Sequence, residues 1–490
     1  MFTEKRIWGG VAISFVMLMS AFAERKPNII YIFTDQQSAT MMSCTGNQYV
    51  NTPAVDYLSA NGVRFEKAYT PNPVCVPART SMMTGYFPGS HGVRLNSNSN
   101  KFNKKYNYEE TNISAQLKRA GYHTAFGGKT HLPRELYPAP LGFEVMSTGR
   151  KMDLSEDAVE FIKRKHDKPY YLVLSYINPH DICYFFRTDL EKKNALVEEL
   201  RAKAAAIPNF YESDQCPPLL SNFEPQPDDP EAYQAMRGIT LKNREELTEE
   251  EWRLGRWMYA RMTEIVDSEI KVVLDAIKES GQEENTVVIF SSDHGDNEGA
   301  YRLHGKSTFN EQSIRIPFIV MDKGGKQKAG SVDNTHLVVN GVDLLPTVLD
   351  YAGVPNAHGD PRGRSVRPLV EGQEIPWRDD VGVESSFGRM VMNDQFKYIE
   401  YDIDRKIEVR LRDMNRDPDE KTHFTNDPEY APVLAKMKAR FDYWFPEPGS
   451  RVYNKNKKNK KAKTGEPVSR EELKKQIKDR KAKEREAREM

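Results

Sequence analysis

Short apolar runs alternate with amphipathic stretches along most of the chain, the pattern of a sheet covered by helices on both faces. Asn28 to Thr34 (NIIYIFT) is continuously apolar, as a strand buried on both faces should be. Thr52-Pro53 opens a helix that runs through Leu58 and stops at Asn61-Gly62. Asn112 to Ala120 predicts another helix, ended by Gly121, and the next run, YHTAFGG, another strand. Leu154 to Lys165 is helical, and Pro169 precedes the apolar run YYLVLSYI. A long helix is predicted from about Leu254 to Ser280, with Gly281 beyond its end, before the strand TVVIFSS. Past about Pro376 the spacing tightens. Val381 to Glu384, Phe396 to Tyr401 and Ile407 to Leu411 predict short strands, DMNRDPDE a turn-rich link, and Ala431 to Trp444 a closing amphipathic helix. The expected architecture is α/β, with a large, mixed but mostly parallel sheet covered by helices on both faces. A smaller C-terminal α+β domain follows, with boundaries at 24–375 and 376–450.

The residues that follow the strands change this from a fold statement into a functional one. NIIYIFT runs into Asp35-Gln36, YHTAFGG into Lys129 and His131, YYLVLSYI into Asn178-Pro179-His180, and TVVIFSS into Asp293-His294. In open α/β sheets ligands bind beyond the carboxyl ends of the strands. One Asp or Asn there is an ordinary turn residue. Four strands each delivering Asp, His or Lys predict an active site.

Charge and cysteine content bound the setting. Lys5 and Arg6, the apolar run Ile7 to Met19 and the small-x-small Ala21-Phe22-Ala23 predict an export signal over residues 1–23, and hence a secreted or periplasmic enzyme. That run is short for a membrane span. Lys+Arg and Asp+Glu both total 71, but residues 451–490 carry 16 basic against 7 acidic residues, which leaves 55 against 64 upstream. The basic tail is expected to be disordered or helical, with polyanion binding as the sharper alternative. No nucleic-acid module accompanies it. Cys44, Cys75, Cys183 and Cys216 are too few for a disulfide scaffold, although Cys183 and Cys216 could pair.

Cys75 has the most unusual setting. It lies in PNPVCVPARTSMMTG, where Pro77 suits a first helical turn, so Cys75 is expected at a helix N-terminus, where N–H groups favour anions. Arg79 follows within one turn and is expected to serve as a bidentate cation for an oxyanion or for a negative oxygen on residue 75. A free cysteine is often only a small core residue. Here, however, Cys75-Val76-Pro77-Ala78-Arg79 with Thr84-Gly85 resembles the C-x-P-[SA]-R…T-G signature of the type I, formylglycine-dependent sulfatases. The resemblance extends over about residues 27 to 445, through PNIIYIFTDQ, TPAVDYLSANGVRFEKAY, GGKTHL, NPHD, SSDHGD, HGK, IRIPFIV and VDLLPTVLDYAG.

The resemblance implies an alkaline-phosphatase-like fold and a sulfuric ester hydrolase whose Cys75 is converted to formylglycine by a formylglycine-generating or anaerobic sulfatase-maturating enzyme. It implies one divalent cation on Asp35, Gln36, residue 75, Asp293 and His294. The family more often has two adjacent aspartates early and Asp-Asn late. Oxygen ligands suit Ca²⁺ or Mg²⁺ and an imidazole favours Mn²⁺ or Zn²⁺; Ca²⁺ is the expected ion. Lys129 and Lys306 match sulfate contacts, His131 a group beside the diol, and His180 a histidine near the leaving oxygen. His304 would position the Lys306 loop, and His91 and Arg94 receive no role. The expected substrate is a sulfated oligo- or polysaccharide. Two alternatives stay open: a phosphonate monoester or phosphodiester hydrolase of the same superfamily, and a non-catalytic glycan-binding protein if Cys75 is unmodified.

Overall fold

A computed structural model describes residues 26–98, 103, 106–148, 154–187, 194–240 and 247–446. The expected export signal and basic tail lie outside them. Eight strands form the main sheet: β1 (Asn28–Asp35), β2 (Val63–Phe65), β3 (His123–Gly128), β4 (Glu144–Thr148), β5 (Tyr170–Pro179), β6 (Thr286–Ser292), β7 (Phe318–Asp322) and β8 (Ser331–Asp333). Their order is β4-β3-β5-β1-β6-β7-β2-β8. The five strands from β4 to β6 are parallel, and β7 runs antiparallel to both its neighbours. The four strands singled out by their polar followers are therefore contiguous in the sheet, in the order β3-β5-β1-β6.

Period-two geometry explains the unbroken apolar runs. Ile29, Tyr31 and Phe33 join one core with Val287, Ile289, Leu345 and Val348, whereas Ile30 and Ile32 face the opposite core with Val288, Phe290, Ile270 and Val273. Both faces of β1 are thus covered, and all eight of its residues are buried. The helix covering the second face spans Glu249–Glu279 and starts earlier than the sequence predicts. Thr248 and Glu251 form a reciprocal capping box, which holds the extra turn.

The C-terminal part is a four-stranded antiparallel meander of Val381–Ser385, Gly388–Met392, Phe396–Ile403 and Lys406–Asp413, with helix Ala431–Trp444 packed on it. The Gly388–Met392 strand is an addition to those the sequence predicts. Lys397, fully buried on the third strand, pairs with Glu311 at 2.7 Å and Glu420 at 2.9 Å, tying the meander to the segment after Lys306. The stretch 181–250 builds helices Ile182–Phe186, Ala195–Ala205 and Glu231–Thr240, and much of it joins an apolar cluster with Trp252 and Trp257. All four cysteines are free, which corrects the possible Cys183–Cys216 pair: Cys183 Sγ instead contacts the Gln36 amide. No described helix is long and apolar enough to cross a membrane.

Candidate active site

Register places the strand ends at one level: Asp35 lies opposite Pro179, and Thr34 opposite Ser292. Asp35, His180 and Asp293 consequently emerge side by side. Lys129 emerges one strand further out, where its N–H donates to the Ser175 carbonyl at 2.9 Å. Gly128 is required there, because it adopts φ 94° and a Cβ would meet the Ser175 carbonyl oxygen at 2.1 Å.

A helix spanning Cys75–Thr84 aims its N-terminus at these ends, and every one of its residues is buried. Cys75 Sγ lies 3.1 Å from Lys306 Nζ, 3.2 Å from His294 Nε2 and 3.8 Å from Asp35 Oδ1. Burial and Asp35 push its thiol up, but Lys306, His294 and Lys129 outweigh them and hold it well below the ordinary thiol range. The position favours a negative atom on residue 75.

Donor atoms of Asp35, Cys75, Asp293 and His294 all lie within 4.8 Å of one another. Asp35 Oδ2 is occupied by Arg79 at 2.7 Å and Lys129 at 2.5 Å. Its Oδ1 faces His180, His294 and Lys306 nitrogens only at 4.0 Å each. A buried carboxylate oxygen with three cationic or imidazole nitrogens held just out of reach, beside a second carboxylate and an imidazole, suits a cation's donor set. Burial would raise the Asp35 carboxyl, but Lys129, His180, Arg79 and Lys306 hold it well below the usual range. Burial and the Asp35 charge push Asp293 upward, while Asp293 raises His294 against its burial.

Arg79 turns its guanidinium to the two aspartates, a partner that its spacing does not predict. Nε donates to Asp293 Oδ2 at 2.7 Å, Nη2 to Asp35 Oδ2 at 2.7 Å, and Nη1 to the Lys129 carbonyl and Ser175 Oγ at 2.8 Å each. With its donors committed and its side chain 1 % exposed, it clamps the two aspartates. Lys129, His180 and Lys306 keep 16, 21 and 16 % of their side-chain surface and line the open side. Burial, with Lys306 and Lys129 nearby, pushes His180 down to about 3 despite Asp35. His131 is the exception. It is exposed at φ 42° and makes no hydrogen bond or ion pair with the cluster among the described residues. His304 stacks on Phe186 with centroids 4.4 Å apart, ahead of Gly305 and Lys306, and His91 turns inward to Ser81. Sequence reasoning misses Asp296, whose only signal is its place two residues after His294 in SSDHGD. It accepts from the Gln36 amide at 2.5 Å and from Gly305 N–H at 3.0 Å.

A buried Asp/Cys/Asp/His cluster beyond the ends of parallel strands is the arrangement of a metal-dependent enzyme site, and comparison specifies the family. The Sulfatase family model matches residues 27–354, and a second, described as N-sulphoglucosamine sulphohydrolase, C-terminal, matches residues 299–444. The chain belongs to the sulfatase family. It is similar to an arylsulfatase of Clostridium perfringens, at 27 % identity over 85 % of this chain and 92 % of that one. It is also similar to a Delta 4,5-hexuronate-2-O-sulfatase of Bacteroides thetaiotaomicron, at 26 % identity over 86 and 89 %. Among solved structures, a 2-O GAG sulfatase superposes with TM-score 0.72 at 24 % identity over 86 and 92 % of the chains. The phosphonate monoester hydrolase of Agrobacterium radiobacter gives 0.65 at 22 % identity over 85 and 95 %. These two show the shared fold.

Proposed function

We propose that this sulfatase is exported and removes sulfate from a sulfated oligo- or polysaccharide, with residue 75 as formylglycine and one divalent cation, Ca²⁺ in the first instance and Mg²⁺ or Mn²⁺ otherwise. The observation that carries the proposal is Cys75 Sγ at a helix N-terminus, between Lys306 Nζ and His294 Nε2. That sulfur stands in for an oxygen of the formylglycine hydrate. As the hydrate, residue 75 supplies one hydroxyl to attack sulfur and a second whose deprotonation expels sulfate. Asp35, Asp293, His294, the Gln36 carbonyl and residue 75 would hold the cation, which acidifies the attacking hydroxyl when bound.

The chain's own groups do the rest. Lys129 and Lys306 point charges meet two non-bridging sulfate oxygens at the open side. Arg79 keeps both aspartates oriented. His180 stands at the leaving oxygen and takes up the proton it donates once the negatively charged ester lies beside it. His131 is given no step. The carbohydrate assignment is supported by relatives named for a hexuronate 2-O-sulfate and an N-acetylglucosamine 6-O-sulfate.

The test is the mass of the peptide containing residue 75, after production with a formylglycine-generating or anaerobic sulfatase-maturating enzyme. Cys75→Ala should abolish sulfate ester turnover with the fold intact, and Cys75→Ser should not restore it, because a seryl sulfate has no second hydroxyl to collapse. An active Cys75→Ala protein would refute the proposal. A phosphonate monoester hydrolase reading is favoured by one feature, the Asp35-Gln36 and Asp293-His294 pairs in place of the commoner family pattern. A higher kcat/KM on aryl phosphonate than on aryl sulfate esters would establish it.

A further inference from the structure

Gln36 is held at every polar atom. Its backbone is left-handed, with φ 71°. Its N–H donates to Asp293 Oδ1 at 3.1 Å, and its carbonyl accepts from the Tyr259 hydroxyl at 2.5 Å. The side-chain amide then spans two charged groups. Oε1 accepts from Lys306 Nζ at 2.8 Å, and Nε2 donates to Asp296 Oδ2 at 2.5 Å. Cys183 Sγ touches Nε2 at 3.3 Å and Oε1 at 3.4 Å, so it does not choose between the two ends.

An amide has one donor end and one acceptor end, so whatever meets the first decides what the second presents. Asp296 is 3 % exposed, and its carboxylate accepts three times: Oδ2 from Gln36 Nε2 and Gly305 N–H, and Oδ1 from Glu298 N–H at 2.8 Å. An acceptor-only group in this place forces the NH₂ of Gln36 outward and its carbonyl toward Lys306 and residue 75.

We propose that Asp296 is a positioning residue for the cation site: it sets the amide of Gln36 so that Oε1, not Nε2, faces the ion. This rests on Gln36 being a ligand, as in the function proposed above. It also accounts for the residue type. An acid at position 36 would put a second carboxylate against Asp296, whereas glutamine offers a donor outward and an acceptor inward.

The test reads cation affinity, by calorimetric titration of the matured protein with CaCl₂ and MnCl₂. Asp296→Leu removes every acceptor that holds the Gln36 amide and should weaken binding about 10- to 100-fold, the usual cost of losing a ligand's supporting partner. Asp296→Asn keeps one oxygen, which best takes the place of Oδ2, where it accepts from both Gln36 Nε2 and Gly305 N–H, so this variant should bind within a few-fold of wild type. In a Gln36→Met background, Asp296→Leu should cost several-fold less than it does beside Gln36. Wild-type affinity in Asp296→Leu, or an equal cost in the two backgrounds, would overturn the role, the latter because Asp296 would then act only through Gly305 and Glu298. If Asp296→Leu does not fold, Asp296→Asn must fold and bind, and a loss there as large as that expected of Asp296→Leu would overturn the role as well. A wild-type protein that binds neither cation overturns the reading of Gln36 as a ligand, and this inference with it.

Discussion

Arg79→Met tests the clamp that holds the site's two carboxylates. The guanidinium lies 2.7 Å from Asp35 and 2.7 Å from Asp293, all three groups at or below 1 % exposure. At an effective dielectric of about 20, each contact is worth about 6 kcal/mol of attraction. Burying each ion costs several kcal/mol, so the assembled triad nets little. Removing only the cation returns none of the desolvation cost of the aspartates. Asp35 keeps Lys129 at 2.5 Å, but Asp293 is left with no cation in contact, only the Gln36 N–H at 3.1 Å and His294 Nε2 at 3.5 Å. The expected loss is therefore about 3–5 kcal/mol, the range for breaking a buried pair. The assay is urea unfolding of metal-free protein, where the midpoint of Arg79→Met should fall and that of Arg79→Lys should fall less, since one ammonium can serve one carboxylate. A saturating divalent cation should recover part of the loss by linkage, about 2.7 kcal/mol at a hundredfold excess over Kd. An unchanged midpoint in metal-free Arg79→Met would refute the argument.

Two further outcomes follow from individual groups. His180→Ala should slow a sugar sulfate about 10²- to 10⁴-fold while largely sparing a nitrophenyl sulfate, because only the alkoxide needs a proton to leave; equal slowing on both substrates would remove its acid role. Glu269 is pushed up to about 7 by burial alone. A carboxyl raised in the folded state contributes stability that is full below its unfolded value and is lost as pH rises through the folded one. Glu269→Gln should thus flatten the decline in urea midpoint between about pH 4 and pH 7, and parallel curves for the two proteins would contradict this.

The strands were legible because β1, β5 and β6 are buried on both faces, and a run such as NIIYIFT has no other stable use. Their polar followers were legible because Asp35, Lys129, His180 and Asp293 follow four separate strands, a coincidence that turn chemistry alone does not ask for. The Cys75–Thr84 helix shows no amphipathic period, since it is buried all round; proline, arginine and the family motif marked it instead. Spacing could not reveal that Arg79 points back at the aspartates, because position within a helical turn does not fix which of two nearby charges a long side chain meets. Nor could it reveal Asp296, whose role depends on Gln36, 260 residues away. His131 shows the converse. Following Lys129 by two residues, it shared that strand's promise, but its left-handed backbone leaves it in solvent.

The charge layout separates what the site needs from what the tail adds. Arg79 is committed to the aspartates, so on the proposed function an arriving sulfate ester would meet Lys129, Lys306 and His180, the groups that keep solvent access. Attraction is local, set by groups within a few ångströms, and such contacts are little screened by salt. The overall balance of 71 against 71 charges offers no long-range steering, yet residues 451–490 carry 16 basic against 7 acidic residues. Deleting Arg451 to Met490 should therefore leave turnover of a small aryl sulfate unchanged at any ionic strength, because none of the motif residues lies there. For a sulfated polymer many charges meet at once, and the deletion should weaken binding most at low salt, where the Debye length reaches about 30 Å at 0.01 M. The measurement is KM for both substrates in full-length and truncated protein across a salt series. Loss of small-substrate turnover would place the tail within the catalytic fold, and an unchanged polymer KM at low salt would remove any role in polyanion capture.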